Sequence, residues 1–317
     1  VTALAPLLAG GSTVTVGSFD GVHLGHQAVL REIARRARAA GRRSVLVTFE
    51  PHPLEVLHPE TAPALLTTPI ERREILAQSE LDAVLFLRFD AALAALPPER
   101  FVAGVLLERC AVRELVIGYD HGFGRGRSGD VSLLRRLGER HGFAVDVVAP
   151  VEVDGAPVSS SRIRALVAAG DLAGAGRLLG RPYTVSGRVV AGERRGRLLG
   201  VPTANLGELD GRKLLPPDGV YAVRVEWRGG VAEGMMNQGP RPTFGDGRRA
   251  LEAHLFGVAA ELYGEPVRIE WVERLRDVQR FASAEELVAQ LQRDRARAEQ
   301  ALRVAPRSSY LSRVPDA

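Results

Sequence analysis

Residues 17–26, reading GSFDGVHLGH, constrain the fold of this chain more than any other stretch. They follow an apolar, β-branched run at 13–16 and lead into a segment with Leu30, Ile33, Ala34 and Ala37 on one helical stripe. A strand, a glycine-containing turn and a helix start in direct succession bring free backbone N–H groups and a helix dipole to one point, where an anion can bind. His23 and His26 stand at that turn, three residues apart, and supply donors that can neutralise charge building up on a phosphoryl group. Alone, two histidines at a strand–helix junction are ordinary exposed residues. With Gly17, Asp20, Gly21, Gly25 and the strand before them, they point to phosphate chemistry.

The same alternation continues through the first half. Strand patterns occur at 13–17, 44–49, 83–87, 114–118 and 143–148, and helical patterns at 24–40, 69–80, 98–108 and 131–141. Thr68, Pro69 and Glu71 make a capping-box start for the second of these helices. Short loops between alternating elements imply a parallel sheet with helices on both faces, whose ligands bind at the carboxyl ends of the strands. Two short helices, near 161–169 and 171–179, close this half. After Gly180, Arg181 and Pro182 the pattern turns to short β-type runs at 183–191, 219–227, 231–238, 250–256 and 267–274, separated by turns rich in Gly, Pro and Asp. Such runs predict a small barrel or sandwich. A final helix follows, with Ser283 and Glu286 as its capping box and Leu287, Val288 and Leu291 as its apolar face. The expected domains are 1–181 and 182–305, with a tail at 306–317.

Composition removes several classes. At 317 residues with 45% hydrophobic and 25% charged side chains, the chain has material for two cored domains. No apolar run nears the roughly 18 residues that cross a bilayer, and no basic region precedes the first apolar stretch, so neither a membrane span nor a signal peptide is expected. Cys110 is the only cysteine, which excludes an internal disulfide and a zinc–thiolate cluster and suggests a cytoplasmic protein. Lys213, the only lysine, lies in GRKLLP and not in a Gly-rich loop ending Gly-Lys-Ser/Thr, so there is no Walker A site. Aromatics at 5%, with no basic cluster among them, give no support to nucleic-acid binding.

Further segments carry candidate chemistry. TFEPHP (48–53) falls on the same rim as the histidines, with His52 in a proline-fixed loop. The Gly-rich loop at 118–130 contains Asp120, His121 and Phe123 and lets backbone approach a ligand. Ser159, Ser160, Ser161 and Arg162 open a helix and could clamp a second phosphate; serine capping alone would also explain the serines. In the second half, Arg194, Arg195 and Arg197 lie in a Gly/Arg-rich stretch, and Thr203 and Asn205 offer hard oxygen donors suited to Mg2+ and phosphate behind a proline turn. MNQGPRPTF (236–244) is a rigid polar loop. Alternation in LEAHL puts Leu251, Ala253 and Leu255 on one face, and Glu252 and His254 on the other; Glu252 is an available general base if that second face points into a barrel mouth, and both are ordinary surface residues if it points to solvent.

Taken in order, GSFDGVHLGH, TFEPHP, GYDHGFGRGRSGD, SSSRIR, GRLLGVPTANL, NQGPRPTF, LEAHLF and LRDVQRFASAEEL resemble the bifunctional bacterial riboflavin kinase/FMN adenylyltransferase (FAD synthetase) family over residues 12–300. The resemblance implies a Rossmann-like α/β nucleotidyltransferase domain followed by a small antiparallel flavokinase β-barrel with a C-terminal helix. It implies phosphorylation of riboflavin by ATP to FMN, then adenylylation of FMN to FAD with release of pyrophosphate. By motif match, His23 and His26 would be catalytic at the first site. Gly17, Ser18, Phe19, Asp20, Gly25, Ser160 and Arg162 would bind ATP phosphates there, with Asp120 and Phe123 holding the flavin. At the second site Glu252 would be the base, Thr203 and Asn205 would hold Mg2+ and ATP phosphate, and Asn237 would contact flavin. Ser18 stands where the family usually has Asn, and His121 where an aromatic commonly follows the aspartate. The implied partners are riboflavin, FMN and Mg·ATP, in a monomer or weak homo-oligomer without nucleic acid or membrane. Two other readings stay open: a single retained activity, and a non-catalytic flavin carrier or regulator.

Overall fold

A computed structural model describes residues 10–119, 131–191, 203–240, 249–258 and 262–305. The chain divides into two compact units, Val1–Ser160 and Ser161–Ala317.

In the first unit β1 (Ser12–Val16), β2 (Arg43–Glu50), β3 (Ala83–Arg88), β4 (Val112–Gly118) and β5 (Ala144–Val148) pair in parallel in the order β3-β2-β1-β4-β5. The helices are α1 (Leu24–Ala39), α2 (Pro53–Leu57), α3 (Pro69–Ala77), α4 (Ala91–Ala94), α5 (Pro98–Phe101), which runs on into a π-helical turn at Val102–Leu107, and α6 (Val131–His141). Strand alternation explains why both sheet faces are covered. Val14, Val45, Val47, Leu115 and Ile117 pack with Phe101, Val102 and Leu134, while Leu46 and Val116 turn the other way to Leu30, Ile33 and Leu76. Each such buried side chain contributes about 1.5–3 kcal/mol. The chain winds outward from β1 through β2 to β3, then returns to β4 on the other side of β1. The crevice at the carboxyl ends of β1 and β4 is therefore the topological switch point, and the 17–26 loop leaves β1 there. A small hairpin, β6 (Glu152–Val153) and β7 (Ala156–Pro157), ends this unit.

After α7 (Ser160–Ala169) and α8 (Leu172–Leu179) comes a closed barrel. Its strands are β8 (Thr184–Val190), β9 (Ala204–Gly207), β10 (Gly219–Trp227), β11 (Gly230–Pro240), β12 (Arg249–Leu255) and β13 (Pro266–Arg276), in the order β10-β11-β12-β9-β8-β13. Register places Tyr221, Met236 and Ala253 opposite one another, and Leu206 opposite Leu251, so these buried residues fill the interior. Gln238 is buried among them, donating from Nε2 to the Pro216 carbonyl (2.6 Å) and accepting from Trp271 Nε1 (3.2 Å). The outer face of β10 and β11 is covered by α9 (Ala284–Val304), through Val220, Ala222 and Met235 against Ala298, Ala301 and Leu302. Two arginines fix this helix. Arg276 grips buried Asp294 with Nε and Nη2 (2.9 and 2.7 Å), and Arg224 Nη2 donates to the Leu302 and Ala305 carbonyls (3.0 and 2.8 Å).

Some expectations need correction. The stretch ending at residue 206, where the sequence pattern predicts no strand, includes strand β9, and residues 236–240 of the expected polar loop lie in strand β11. Leu291 of the expected apolar face of α9 does pack against the barrel cluster, and Leu287 and Val288 are half-buried; the fully buried residues, Asp294, Ala298, Ala301 and Leu302, lie further along, where Arg276 neutralises Asp294. Ser283 does cap α9, but Glu286 accepts from the Ala282 N–H and not from that of Ser283, so the capping box is half formed. Among the described residues no helix is long and apolar enough to cross a membrane.

Candidate active sites

Gly17 extends the β1 ladder by donating its N–H to Val47 (3.1 Å), so that N–H is not free to meet a phosphate. The chain then turns sharply, with Phe19, Gly21 and Val22 in the left-handed region (φ 51°, 80° and 37°). For a bulky and a β-branched residue this costs on the order of 1–3 kcal/mol each. Burial offsets the cost, since Phe19 and Val22 both pack into the cluster around Leu30 and Ile33. A Cβ on Gly17 would come within 2.9 Å of the Phe19 ring, so glycine is required for that packing.

The turn delivers His23 to the N-cap of α1, where its Nδ1 accepts the His26 N–H (3.3 Å). That bond makes Nδ1 the acceptor and leaves the ring proton on Nε2. The His23 and His26 rings stack with centroids 3.6 Å apart and 17° between planes, and the Phe19 ring lies 4.5 Å from that of His26. A Cβ on Gly25 would lie 3.3 Å from the His23 ring and 3.6 Å from the Val158 carbonyl, tight enough to disturb the pair. Leu24 and Gly25 carry the first N–H groups of α1, which no helix can satisfy internally. Stacked imidazoles and open amides therefore share the helix start, on the rim where α/β sheets bind ligands.

The loop is held from the side by the segment leading into α3. Buried Asp20 accepts at Oδ1 from the Thr67 N–H and hydroxyl (2.9 and 3.0 Å) and at Oδ2 from the Leu66 N–H (3.0 Å). These bonds make Asp20 a staple of the loop, and its negative charge faces donors of the protein. Arg72, which the sequence gave no reason to single out, donates from Nη1 to the Ser18 carbonyl (2.7 Å) and from Nη2 to the Phe49 carbonyl (2.6 Å). Burial pushes its guanidinium below the usual arginine range, while Asp20 and Glu50 favour its charge. The Thr48 hydroxyl also donates to Ser18 (3.2 Å).

Other expected residues gather here in part. His52 is the N-cap of α2, in a full capping box with Glu55. The Ser160 hydroxyl donates to the Asp20 carbonyl (3.0 Å), which ties it to the histidine loop. Arg162 is half-buried on α7 and belongs to the second unit. Asp120, His121 and Phe123 lie outside the described residues, as do Arg194, Arg195, Arg197, the 241–244 end of the NQGPRPTF loop and the 306–317 tail.

On the barrel, backbone pairing does the assembling. Asn237 on β11 stands opposite Glu252 on β12, and Glu252 opposite Asn205 on β9. Directly opposed residues of antiparallel strands point to the same face. One rung thus aligns two carboxamides with a carboxylate between them. Leu251, Ala253 and Leu255 are buried on the interior face, as their alternation implies, while Glu252 and His254 are half-buried on the other. Thr203, just before β9, is also half-buried. Among the described residues no group of three His, Cys, Asp or Glu could hold a metal ion by itself. The rung instead offers amide and carboxylate oxygens, a donor set suited to a Mg2+ that arrives on nucleotide phosphates.

Comparison with known proteins bears on both sites. The FAD synthetase family model matches residues 7–162, and the riboflavin kinase family model matches residues 179–302. The chain is 40% identical over 288 residues to the bifunctional riboflavin kinase/FMN adenylyltransferase of Escherichia coli (strain K12), covering 90% of each chain. It is 42% identical to the protein of that name from Pseudomonas fluorescens, covering 91% of this chain and 92% of that one. A crystal structure described as a macrolide-efflux protein from Streptococcus pneumoniae superposes with a TM-score of 0.82 at 34% identity, covering 93% of this chain and 95% of that one. That description is at odds with the curated relatives; both family models side with the relatives. The chain belongs to the bifunctional riboflavin kinase/FMN adenylyltransferase family.

Proposed function

We propose that the two reactions of the family, ATP-dependent phosphorylation of riboflavin and adenylylation of the resulting FMN, run in two separate pockets built from the residues above. The observation that carries the adenylyl site is the stacked His23/His26 pair at the open start of α1. FMN brings its own nucleophile, an anionic phosphate oxygen, and needs no base. That oxygen bonds to the α-phosphorus of ATP, the bond to the β-phosphate oxygen breaks, and pyrophosphate leaves. The protein must hold the reactants in line and stabilise charge. The Nε2–H of His23, the His26 ring and the Leu24 and Gly25 amides supply that stabilisation, with Ser160 tied to the same loop; Arg162 stays a candidate phosphate contact on its motif alone. Phe19 and Gly25 set the pair's packing, and Gly17, Ser18 and Asp20 act through loop shape. Asp120 and Phe123 remain candidates for flavin contact.

The kinase site faces a harder nucleophile. The terminal ribityl hydroxyl ionises far too weakly to attack unaided, so a carboxylate base is useful. Glu252 takes its proton as the oxygen bonds to the γ-phosphorus and ADP departs. Asn237 orients the flavin beside it. Thr203 and Asn205 would hold Mg2+ on the ATP phosphates, where the ion offsets phosphate charge. The flavokinase match begins at residue 179, close to the proposed 181/182 boundary, whereas the compact units divide earlier, at Ser160/Ser161. A cytoplasmic monomer or weak homo-oligomer acting on riboflavin, FMN and Mg·ATP completes the proposal.

The test incubates the full chain with riboflavin and Mg·ATP, or with FMN and Mg·ATP, and separates products by chromatography. His26→Ala is expected to abolish FAD formation and spare FMN formation; Glu252→Ala is expected to do the reverse. Either variant leaving both rates near wild type refutes that residue's assignment. Flavin bound without ATP turnover supports a carrier instead.

A further inference from the structure

Arg72 is 5% exposed, and both of its bonded donors go to backbone carbonyls of residues that flank the adenylyl site. Ser18 sits in the turn that sets the histidine pair; Phe49 is the penultimate residue of β2, directly before Glu50 and the His52 loop. Neither acceptor is a carboxylate, and Nε has no acceptor at all. Arg72 lines a small cavity of about 10 Å3, about enough for a single water molecule, whose walls are both polar (Asp20, Glu50, His52) and apolar (Pro51, Leu65, Pro69). An apolar side chain of similar size would serve packing better than a buried charge whose bonds are all to neutral groups. What the guanidinium alone provides is its planar fork, which spans two carbonyls at fixed separation.

We propose that Arg72 is a positioning residue of adenylyl transfer: its fork locks the Ser18 carbonyl of the histidine turn to the Phe49 carbonyl at the end of β2. The relative placement of the histidine pair and the 50–53 rim then depends on a side chain that touches neither substrate. The inference rests on the adenylyl-site reading above.

The test uses the full chain and follows FAD formation from FMN, with FMN formation from riboflavin as an internal control. Arg72→Met is expected to lower kcat for FAD formation by about 100-fold, the size of a displacement on the order of 1 Å. KM for ATP changes little, because the phosphate donors remain, and FMN formation keeps its rate. Arg72→Lys reaches one carbonyl and is expected to restore kcat to within roughly tenfold of wild type while staying measurably below it. A purely structural role would leave kcat per folded molecule unchanged, with circular dichroism reporting the folded fraction. A kcat for Arg72→Met near wild type in folded protein overturns the proposal. If Arg72→Met does not fold, Arg72→Lys decides alone: a reduced kcat with intact KM supports the clamp, and an unchanged kcat overturns it. His26→Ala run alongside keeps the two readings apart. An unchanged His26→Ala rate refutes the histidine site, whereas a collapsed His26→Ala rate with an unchanged Arg72→Met rate refutes only the clamp.

Discussion

Asp20→Asn separates a loop staple from a nucleotide ligand. In the folded chain Oδ1 accepts from the Thr67 N–H and hydroxyl, and Oδ2 from the Leu66 N–H at 3.0 Å. An asparagine can put its one oxygen where Oδ1 stood and keep two of the three bonds. Its NH2 then faces the Leu66 N–H, donor against donor. One charge-assisted bond, worth about 1.5–3 kcal/mol, is lost, and a buried N–H goes unsatisfied, so the net cost is about 3 kcal/mol. For a unit of this size each kcal/mol moves the midpoint by roughly 2–4 °C, which puts the expected fall at about 6–12 °C. Scanning calorimetry of the full chain reads the shift, and FMN formation serves as the control. FAD formation is expected to stay near wild type well below the transition, because two bonds still hold the loop in place, and to fail early on heating. Loss of FAD formation in the cold with an unmoved transition would show that Asp20 meets the nucleotide.

Two further outcomes follow from the ion pairs. Arg35 and Arg36 hold the Glu32 carboxyl at about 2, against 4.5 for a free glutamate, and hydrogen bonding to Arg36 lowers Asp146 as well. A depressed carboxylate stabilises the fold fully above its unfolded value and loses that contribution on acidification, so urea midpoints of the first unit should fall from about pH 4.5 towards 2. Glu32→Gln should flatten that slope, and an identical slope would refute the pairing. On the barrel, Arg224→Met strands the Glu270 carboxylate, which now sits 3.0 Å from Nη1, and removes the bonds to Leu302 and Ala305. The expected loss is about 3–5 kcal/mol in urea unfolding, with recovery in Arg224→Met/Glu270→Leu; an unchanged midpoint would show that these bonds do not hold α9.

What the sequence disclosed depended on how local the cause was. The turn from β1 into α1 was legible because its β-branched run and its 3.6-residue stripe are contiguous, and every expected stripe residue of α1 is buried. The Thr68/Glu71 capping box was legible for the same reason. Strand β9 was not: four residues, one of them Asn205, carry too little pattern, and they become a strand only by pairing with β12 and β8. Asp294 was not singled out, because what lets it be buried is Arg276, eighteen positions away. Arg72 bonds to carbonyls 54 and 23 positions distant, and a backbone carbonyl leaves no mark in a sequence. Glu252 was found by alternation, but only register shows that Asn205 and Asn237 flank it.

The two sites are built by different means, and that difference follows from what each must hold. Along the barrel rung, the backbone ladders of β11, β12 and β9 fix the places of Asn237, Glu252 and Asn205, so the proposed base keeps its distance from the carboxamides without side-chain support. A proton acceptor for a reluctant alcohol benefits from such a stiff mount. The histidines stand on a turn that no ladder spans. Its left-handed Phe19 and Val22 are strained, and its shape is imposed by Asp20, Thr48 and Arg72, all reaching across from or to other elements. A loop of that kind brings backbone amides and imidazoles to one point, which a flat strand face cannot do, and a triphosphate needs just such a concave set of donors. The cost is that the geometry of the site is stored in residues that never meet the substrate, so its failures will arise at positions such as Arg72 that resemble ordinary helix residues.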